Sequence, residues 1–526
     1  MSNSVEVFVR QTVEGARPLE KALNLAEWEA AATGTEEANQ RQQQAQSANM
    51  RFWASPAIYD QAKSLLAMQP PRDPLLARQL RLVYLSAAKN QQDEASIDQI
   101  TRLEAEVRTQ YYNFRGQVNG RSLSDNELVG ILKTSRDSAE VQAAWEGSKQ
   151  VGPQVADAIR RLAHLRNAAA QRQGFRDHFQ RALTLDEIDE HRLLALFADL
   201  EAGTRAAFIR LKAEIDRDRA AWFGIDASAL MPWHYPDRFF QEAPPMGGVD
   251  MDALLARFDP AELALQTYDG LGLEVRDLLA RSDLYARPGK NQHAFSIHID
   301  RDGDVRTLNN LERDLRWNNT LHHELGHAVY DKYLDPSLPW LLRMPSHTLT
   351  TEAVAILMGG VTLTRPWLTG VLGLKGAQAD RVADSAQRRN RAAGLIFTRW
   401  CLVMTLFEKA LYDNPDGDLD GLWWDLVERY QQLRRPSGRN APDWAAKYHI
   451  ALAPVYYQNY ELGHLVTEQL AHYLKKQAGG LVGRKQAGNW LSERVFRPGA
   501  RQDWERHVAS ATGEPLNPAY FAKAHA

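Results

Sequence analysis

The sequence HHELGH, at His322–His327, constrains this chain more than any other feature. On an α-helix, residues i and i+4 lie one turn apart on the same face, so His323 and His327 can point both imidazoles at one metal ion. Glu324 lies beside them in the sequence. This is the HExxH pattern, in which two His bind zinc and the Glu acts as general base on the attacking water. The motif predicts a helix that carries a catalytic zinc site.

The residues around the motif favour this interpretation over a surface helix with two incidental His. Apolar side chains recur there at helical spacing, at Leu321, Leu325, Val329 and Tyr333. Asn319 or Thr320 is the predicted cap at the start of the helix.

A catalytic zinc site needs a third protein ligand and an open position for water. A metzincin would place that ligand, a His, where this chain has Tyr333, so the sequence excludes the class. Glu352 begins a second apolar helical run, TEAVAILMGG, and a carboxylate on a following helix is the gluzincin arrangement. His347 is the alternative ligand, although Pro345 and Ser346 indicate a loop before that helix.

The composition is that of an ordinary globular protein, with 44% hydrophobic and 25% charged residues in 526. A net charge of −3 and a pI near 6.6 predict no nucleic-acid or membrane partner. Cys401 is the single cysteine, so the fold cannot depend on an intrachain disulfide.

The N-terminal sequence MSNSVEVFVRQTVEG lacks a basic region followed by an apolar stretch. No segment of the chain reaches about 18 uninterrupted apolar residues. We therefore expect a soluble, cytoplasmic protein, or a periplasmic or secreted one if a signal peptide has been removed.

Apolar spacing predicts helices along most of the chain, including one at 94–117, so the expected fold class is all-α. Thr184 and Glu187 have the spacing of a capping box and predict the start of a long core helix. That helix is predicted to end at Phe223, because Gly224 follows.

The clear strand signal is HAFSIHIDRDGDVRTL, which directly precedes the predicted zinc helix. Phe295, Ile297 and Ile299 alternate with polar neighbours, and Asp302–Gly303 is a hairpin turn dipeptide. A strand edge beside a metal can hold an extended peptide by main-chain hydrogen bonds. An ordinary hairpin that covers the core is the alternative interpretation.

Several motifs, in this order, make the chain resemble the peptidase family of angiotensin-converting enzyme. They are TSRDSAEVQAAWEGSKQVGP, LRNAAAQRQGF, HAFSIHID, HHELGH, TEAVAI, WWDLVERYQ, and KYHI followed by YYQNY. The zinc motif alone is widely shared, whereas its combination with WWDLVERYQ and KYHI is much more specific. The similarity extends over most of the chain.

The resemblance implies a two-lobed, almost wholly helical ellipsoid with a deep central groove and a small β-hairpin beside the zinc helix. It implies a single metallopeptidase domain over residues 1–526, with a helical flank or lid at 1–120. The zinc-binding core is expected at 290–360, and a segment that contacts the substrate and the transition state at 420–475.

The resemblance also implies one zinc ion per chain, bound by His323, His327 and Glu352, with Glu324 as the general base. His449 is then expected to donate to the oxyanion that develops in the transition state.

Two tyrosines after KYHI have implied functions. The family pattern of two Tyr three positions apart matches Tyr457 and Tyr460, with a shift of one residue relative to His449. On this alignment Tyr460 stabilises the transition state, whereas Tyr457 and Lys447 bind the C-terminal carboxylate of the substrate. Tyr456 is the competitor for the position of Tyr457.

His293 and the backbone of Ala294 match the strand residues that contact the bound peptide in the family. Two departures from the family pattern stand out. The acidic residue expected four positions after the zinc Glu is Ile356 here, so another group must orient a ligand His. A Gln that helps to hold the carboxylate is absent at the matching position, and Gln241, farther along, is the candidate substitute.

The function expected from the resemblance is zinc-dependent hydrolysis of short peptides by a peptidyl-dipeptidase, which releases C-terminal dipeptides. An oligopeptidase and a carboxypeptidase that releases single residues are the enzymatic alternatives. A catalytically silent peptide-binding protein is the alternative from another class.

Overall fold

The computed structural model describes residues 2–68, 70–91, 94–244 and 248–526. In these ranges the chain is mainly helical, with two small antiparallel two-stranded sheets. The predicted all-α fold with a small hairpin is therefore confirmed.

The helices of the first half of the chain are α1 (Ser2–Thr33), α2 (Glu36–Trp53), α3 (Pro56–Ala67), α4 (Pro74–Lys89), α5 (Glu94–Asn113), α6 (Asp125–Thr134), α7 (Ser138–Lys149), α8 (Val151–Arg172), α9 (His178–Leu185), α10 (Glu190–Phe223), α11 (Met251–Leu255) and α12 (Pro260–Leu271). Those of the second half are α13 (Arg276–Arg281), α14 (Leu315–Lys332), α15 (Thr348–Val361), α16 (Arg365–Gly370), α17 (Gly376–Asp413), α18 (Leu419–Leu426), α19 (Tyr448–Leu452), α20 (Tyr457–Ala478), α21 (Lys485–Leu491), α22 (Trp504–Thr512) and α23 (Ala519–His525).

The strands are β1 (Gly116–Val118), β2 (Arg121–Leu123), β3 (Phe295–His298) and β4 (Val305–Leu308). A π-helical turn, Val427–Gln431, follows α18 directly.

The chain forms two compact units. Unit 1 comprises Met1–Gln91, Gly248–Ala386 and Leu462–Tyr520, and unit 2 comprises Gln92–Gly247, Gln387–Glu461 and Phe521–Ala526.

Unit 1 contains separate apolar clusters around its helices. One cluster joins α1 to α4 through side chains such as Phe8, Trp53 and Leu80, and Trp340 packs on it. Another surrounds the fully buried Trp367 of α16.

Unit 2 is organised around buried tryptophans. The ring of Trp400 lies 5.8 Å from that of Trp423 and 5.3 Å from that of Phe239, and Trp145 lies 6.3 Å from Trp424. Such offset and edge-to-face contacts add about 0.5–1.5 kcal/mol per pair to the burial of the rings.

The long helix α10 begins later than predicted. The predicted capping box at Thr184 and Glu187 is wrong, because Thr184 lies inside α9 and Glu187 has a positive φ of 56°. Asp189 caps α10 instead, where its side chain accepts a hydrogen bond from the backbone N–H of Arg192. The predicted end is confirmed, since Gly224 has the left-handed φ of 64° that a helix C-cap needs.

Helix α14, which carries the HExxH motif, begins earlier than predicted. Its N-cap is Asp314, whose carboxylate accepts from the N–H of Trp317 at 2.7 Å. The predicted caps Asn319 and Thr320 are wrong, because both residues lie within the helix. The side-chain oxygen of Asn319 instead accepts a hydrogen bond from the hydroxyl of Thr362, the C-cap residue of α15.

The predicted helix at 94–117 ends at Asn113, and the hairpin of β1 and β2 follows. Its turn is Asn119–Gly120, with φ of 51° and 76°. Positive φ at both central residues is the property for which the Asn-Gly dipeptide is selected in two-residue hairpins. This dipeptide was the signal in the sequence that could have revealed the hairpin.

The predicted hairpin before α14 is present, with Phe295 paired to Leu308 and His298 to Val305. Its connection runs from residue 299 to 304 and includes Gly303 with a φ of 109°. No helix among the described residues is both long enough and apolar enough to cross a membrane.

Candidate metal centre and substrate-binding residues

Helix α14 and helix α15 of unit 1 bring the three predicted metal ligands together. The Nε2 atoms of His323 and His327 each lie 3.8 Å from a carboxylate oxygen of Glu352. All three ligand atoms lie within 4.8 Å of one another, and no other His, Cys, Asp or Glu group among the described residues meets this condition. The ligand atoms of a tetrahedral zinc site are about 3.3 Å apart. The donor set and its spacing therefore fit a zinc ion after small side-chain movements.

Glycines permit the close approach of these two helices. A Cβ atom at Gly326, within the motif, would lie 2.8 Å from the Cα atom of Ala355. A Cβ at Gly359 would lie 3.4 Å from the Cβ of His323. Because backbone lies against backbone at Gly326, the motif and the third ligand share one tight helix pair.

Both His ligands are oriented by groups on α15. The Nδ1 atom of His327 lies 2.8 Å from the hydroxyl oxygen of Thr351, and the ring of His323 is hydrogen-bonded to the carbonyl of Ala355. A proton held on Nδ1 leaves the lone pair of Nε2 for a metal. Ile356, at the position of the acidic residue in the family pattern, has no group that could orient these rings. Thr351 and Ala355 contact the rings instead. The sequence contained no signal that would have named them.

Removing the hydroxyl of Thr351 should weaken metal binding. We expect Thr351→Val, which keeps the shape of the side chain, to lower zinc affinity by roughly 10–100-fold, the usual cost of losing such a partner. Thr351→Ser keeps the hydroxyl and should bind zinc nearly as the wild type does. Competition with a chelator measures both affinities, and equal affinities for Val and Ser would contradict this function of Thr351.

Burial places the ligands in the protonation states that metal binding requires. It lowers the pKa of His327 to about 3, with the neighbouring His323 as a smaller cause. It lowers the pKa of His323 as well. Both rings are therefore neutral and available as ligands at neutral pH.

Glu324 is 7% exposed and lies beside the ligands. Burial and, as a smaller cause, the negative charge of Glu352 raise its pKa to about 8. A cation bound by the three ligands would lower the pKa of this carboxyl group.

The first His of the motif, His322, is a core residue. It is fully buried, its Nδ1 donates to the carbonyl of Asn318 at 2.8 Å, and its Nε2 lies 3.0 Å from the hydroxyl of Thr267. Burial lowers its pKa to about 4. Both ring nitrogens are therefore satisfied within the protein.

The alternative ligand His347 is the N-cap residue of α15, where its Nδ1 accepts from the N–H of Leu349 at 3.1 Å. It is not part of the metal-ligand group of the described residues. The loop position inferred from Pro345 and Ser346 is consistent with this cap.

His293 and Ala294 directly precede β3. The backbone N–H of His293 donates to the side chain of Asn291 at 2.9 Å, and the imidazole is exposed. Among the described strands, β4 alone pairs with β3, so the second edge of β3 is not covered by a strand. The side chain of Asn24 donates to the carbonyl of His298, at the far end of that strand.

Unit 2 contains the residues predicted to bind a carboxylate. Lys447 is 7% exposed, and its Nζ donates to Oε1 of Gln241 at 2.8 Å. The same Nζ lies 5.3 Å from the ring centroid of Trp400, 5.5 Å from that of Phe239 and 5.6 Å from that of Tyr457. Burial lowers the pKa of Lys447 to about 8. Among the described residues, no carboxylate lies within ion-pair distance of this ammonium group.

Gln241, the candidate substitute for the missing Gln of the family pattern, thus lies beside Lys447. Its position in the sequence had suggested this only weakly. A buried ammonium group with an amide and three aromatic rings as neighbours suits an incoming carboxylate, because the low dielectric strengthens a charge-assisted hydrogen bond.

The rings of His449, Tyr457 and Tyr460 form a contiguous set in unit 2. The centroids of His449 and Tyr457 are 5.0 Å apart, and those of Tyr457 and Tyr460 are 5.6 Å apart. Tyr460 is 40% exposed, whereas Tyr457 is 3% exposed. Tyr456 contacts the far side of Tyr460, with 5.0 Å between the centroids.

His449 is uncharged at neutral pH. Burial and, as a smaller cause, the charge of Lys447 lower its pKa to about 4. Its Nδ1 is buried and has no hydrogen-bond partner among the described residues. A neutral imidazole can donate a hydrogen bond from its one N–H to a developing oxyanion, without transferring the proton.

Comparisons with known proteins identify the family of this chain. The family model for angiotensin-converting enzyme, a peptidase family that depends on zinc, matches residues 2–193 and 290–519. Angiotensin-converting enzyme of Theromyzon tessulatum is 21% identical over 429 residues, which cover 74% of this chain and 68% of that protein. Angiotensin-converting enzyme-related protein of Drosophila melanogaster is 24% identical over 242 residues, which cover 42% of this chain and 38% of that protein. The chain belongs to the angiotensin-converting enzyme family of zinc metallopeptidases.

Proposed function

We propose that this protein is a peptidyl-dipeptidase, which removes dipeptides from the free C-terminus of short peptides. The observation that carries the proposal is the buried pair of Lys447 and Gln241. A buried cation without a carboxylate partner costs free energy, and the C-terminal carboxylate of a peptide can supply that partner. Tyr457, whose ring lies beside Lys447, is proposed to contact the same carboxylate.

His323, His327 and Glu352 are proposed to hold one zinc ion. Bound zinc lowers the pKa of water and polarises the scissile carbonyl. Glu324 is proposed as the general base that takes a proton from the attacking water and returns it to the leaving amine. Its carboxyl group is suited to this exchange, because it is buried directly beside the predicted ligand His323.

Tyr460 and His449 are proposed to donate hydrogen bonds to the oxyanion of the transition state. The resemblance of the segment KYHI…YYQNY supports this assignment, and so does the ring contact that joins the two residues through Tyr457. The exposure of Tyr460 favours it over the buried Tyr457 for contact with the reacting carbonyl.

The edge of β3 that no described strand pairs with is proposed to hold the substrate backbone near His293. A peptide beside His293 and Ala294 would extend the two-stranded sheet by main-chain hydrogen bonds, which do not depend on side-chain identity. This mode fits an enzyme that acts on peptides of varied sequence.

The test of the proposed function is product analysis of one N-blocked pentapeptide and its C-terminal amide, by mass spectrometry, with and without a chelator. We expect chelator-sensitive release of a dipeptide from the free acid and little cleavage of the amide. Equal cleavage of both would instead establish an oligopeptidase, and release of a single residue would establish a carboxypeptidase. Peptide binding without cleavage would establish the silent binding protein.

Lys447→Met should remove the preference for the free acid. Loss of a charge-assisted hydrogen bond in a buried site costs about 1.5–3 kcal/mol, so we expect kcat/KM for the free acid to fall roughly 10–150-fold. The rate with the amide should change little. Lys212 of unit 2 is a matched control, because it is also buried but has a partner in Asp216. Lys212→Met should affect stability and leave the ratio of the two substrates unchanged, and an equal shift of that ratio in both variants would refute the assignment.

A further inference from the structure

The connection between α19 and α20 contains a strained residue. Val455 has a φ of 54°, in the left-handed region. A β-branched side chain rarely adopts this conformation, which persists only when the surroundings hold it. Val455 lies between His449 and the tyrosines 457 and 460, on the segment where the match to the family pattern requires a shift of one residue.

Side chains hold both polar groups of the Val455 backbone. Its N–H donates to Oε1 of Glu408 at 2.7 Å, and its carbonyl accepts from Nε2 of Gln458 at 2.6 Å. Glu408 lies on α17 and is 1% exposed. Its second oxygen, Oε2, is buried without a hydrogen-bond partner among the described residues. The carboxyl group therefore makes its hydrogen bond to this turn.

The end of α19 that leads into this connection is also held from the interior of unit 2. The buried guanidinium of Arg166 donates to the carbonyl of Ala451 at 2.5 Å and to Oε1 of Glu104 at 2.7 Å. Its Nη1 lies 3.2 Å from the hydroxyl of Tyr412. Residues 451–455 are thus fixed at both ends by buried side chains from other helices.

The charge state of Glu408 is compatible with this function. Burial raises its pKa to about 8, while the N–H of Val455 and the charge of Arg166 act in the opposite direction. A largely protonated carboxyl group can still accept from Val455 through its carbonyl oxygen.

We propose that Glu408 is a positioning residue, which holds the left-handed turn at Val455 and thereby fixes His449 and Tyr460 relative to each other. The turn lies on the segment of the one-residue shift, and the rings of His449 and Tyr457 are in contact across it, with 5.0 Å between their centroids. The proposal rests on the proposed functions of His449 and Tyr460 in catalysis. Glu408 itself does not contact the substrate.

The test is a double-mutant cycle on the full chain with zinc present. Glu408→Met removes the acceptor and keeps the side-chain length, and Val455→Gly removes the strain, because Gly adopts the left-handed region at no cost. In the Val455 background we expect Glu408→Met to lower kcat roughly tenfold or more, since misplaced catalytic groups are costly. We expect KM to stay within about threefold. In the Val455→Gly background the same change should lower kcat less than about threefold.

Two single variants serve as controls. Glu408→Gln keeps the Oε1 acceptor and should retain nearly all of the wild-type kcat. Thr405 lies one turn before Glu408 on α17 and has a buried hydroxyl without a partner among the described residues. Thr405→Val should therefore leave kcat unchanged. Equal losses from Glu408→Met in both backgrounds, or no loss in either, would overturn the proposal.

Amide hydrogen exchange supplies a readout that does not depend on turnover. Glu408→Met should speed exchange at residues 451–460 and leave α14 unaffected, and unchanged exchange there would overturn the proposal. If Glu408→Met alone does not fold, recovery of folded protein by Val455→Gly supports the proposal and no recovery overturns it. If Tyr460→Phe and His449→Ala retain full kcat, the proposed function fails instead, and exchange alone decides the function of Glu408.

Discussion

Glu324→Gln should abolish nearly all peptide hydrolysis while the protein still binds one zinc ion per chain. The amide has the size and shape of the carboxyl group, but it cannot accept the proton of the attacking water. General-base catalysis contributes roughly 10²–10⁴-fold, so kcat should fall by that factor while KM changes little. Steady-state kinetics on the free-acid pentapeptide and elemental analysis of the purified protein measure the two quantities.

Glu468→Gln is the matched control for this variant. Glu468, on α20 of unit 1, is also a largely buried carboxyl group, and burial raises its pKa to about 7. Its replacement should leave kcat and zinc content unchanged. Full hydrolysis by Glu324→Gln would refute the assigned base, and joint loss of zinc and turnover would mean that Glu324 supports the metal ligands rather than the proton transfer.

The same variant separates an enzyme from a silent binding protein. A wild-type chain that binds the pentapeptide without cleaving it should bind it equally well after Glu324→Gln. An enzyme should cleave it, and its Glu324→Gln variant should retain the intact peptide. Mass spectrometry of the bound fraction distinguishes the two cases.

The placement of His323 and His327 on one helix face could be predicted from the sequence, because their geometry is local. The i, i+4 rule fixes His323 and His327 on one face of any helix, whatever surrounds it. The partners of these ligands are set by tertiary packing. Thr351 and Ala355 orient the two rings only because α15 crosses α14 at Gly326, and no spacing in the sequence encodes that crossing.

Helix starts were predicted less well, for a physical reason. Thr184 and Glu187 have the spacing of a capping box, yet a preceding helix, α9, runs through Thr184. Asp189, which caps α10, lies directly before the helix, and Asp is a stronger N-cap residue than Thr. Such competition between nearby caps is decided by which helices pack into the core, and a local pattern does not contain that information.

The left-handed turn at Val455 could not be predicted from the local sequence either. Its sequence context indicates no turn, because β-branched residues are disfavoured at positive φ. The conformation depends on Glu408 and Gln458, and Glu408 is distant in the chain. The one-residue shift between His449 and the two tyrosines was visible in the sequence, but the left-handed turn in that segment was not.

Gly326→Ala should weaken both the fold of unit 1 and its metal site. The added methyl group would lie 2.8 Å from the Cα atom of Ala355, so α15 must move. Overpacking of this kind costs about 1–3 kcal/mol, of which the better helix propensity of Ala returns about 1 kcal/mol. We expect a net loss of up to about 2 kcal/mol in the free energy of unfolding without metal.

The effect on metal binding should be larger than the effect on stability alone. Thr351, Glu352 and Ala355 all lie on α15, so one shift of that helix displaces a ligand and both orienting groups at once. We expect zinc affinity to fall roughly 100-fold or more, measured by competition with a chelator. Gly360→Ala, on α15, is the control. A Cβ at Gly360 would meet no neighbouring atom within 4 Å.

The identity of the atom that Gly326 meets makes the prediction sharper. Because it is a backbone Cα, trimming the neighbouring side chain cannot relieve the clash, and Gly326→Ala combined with Ala355→Gly should remain defective. Recovery of zinc affinity in the double variant would mean that the side chain of Ala355 limits the approach. Unchanged affinity in Gly326→Ala would mean that α14 and α15 are farther apart than the glycine implies, and the requirement for Gly in the motif would then need another cause.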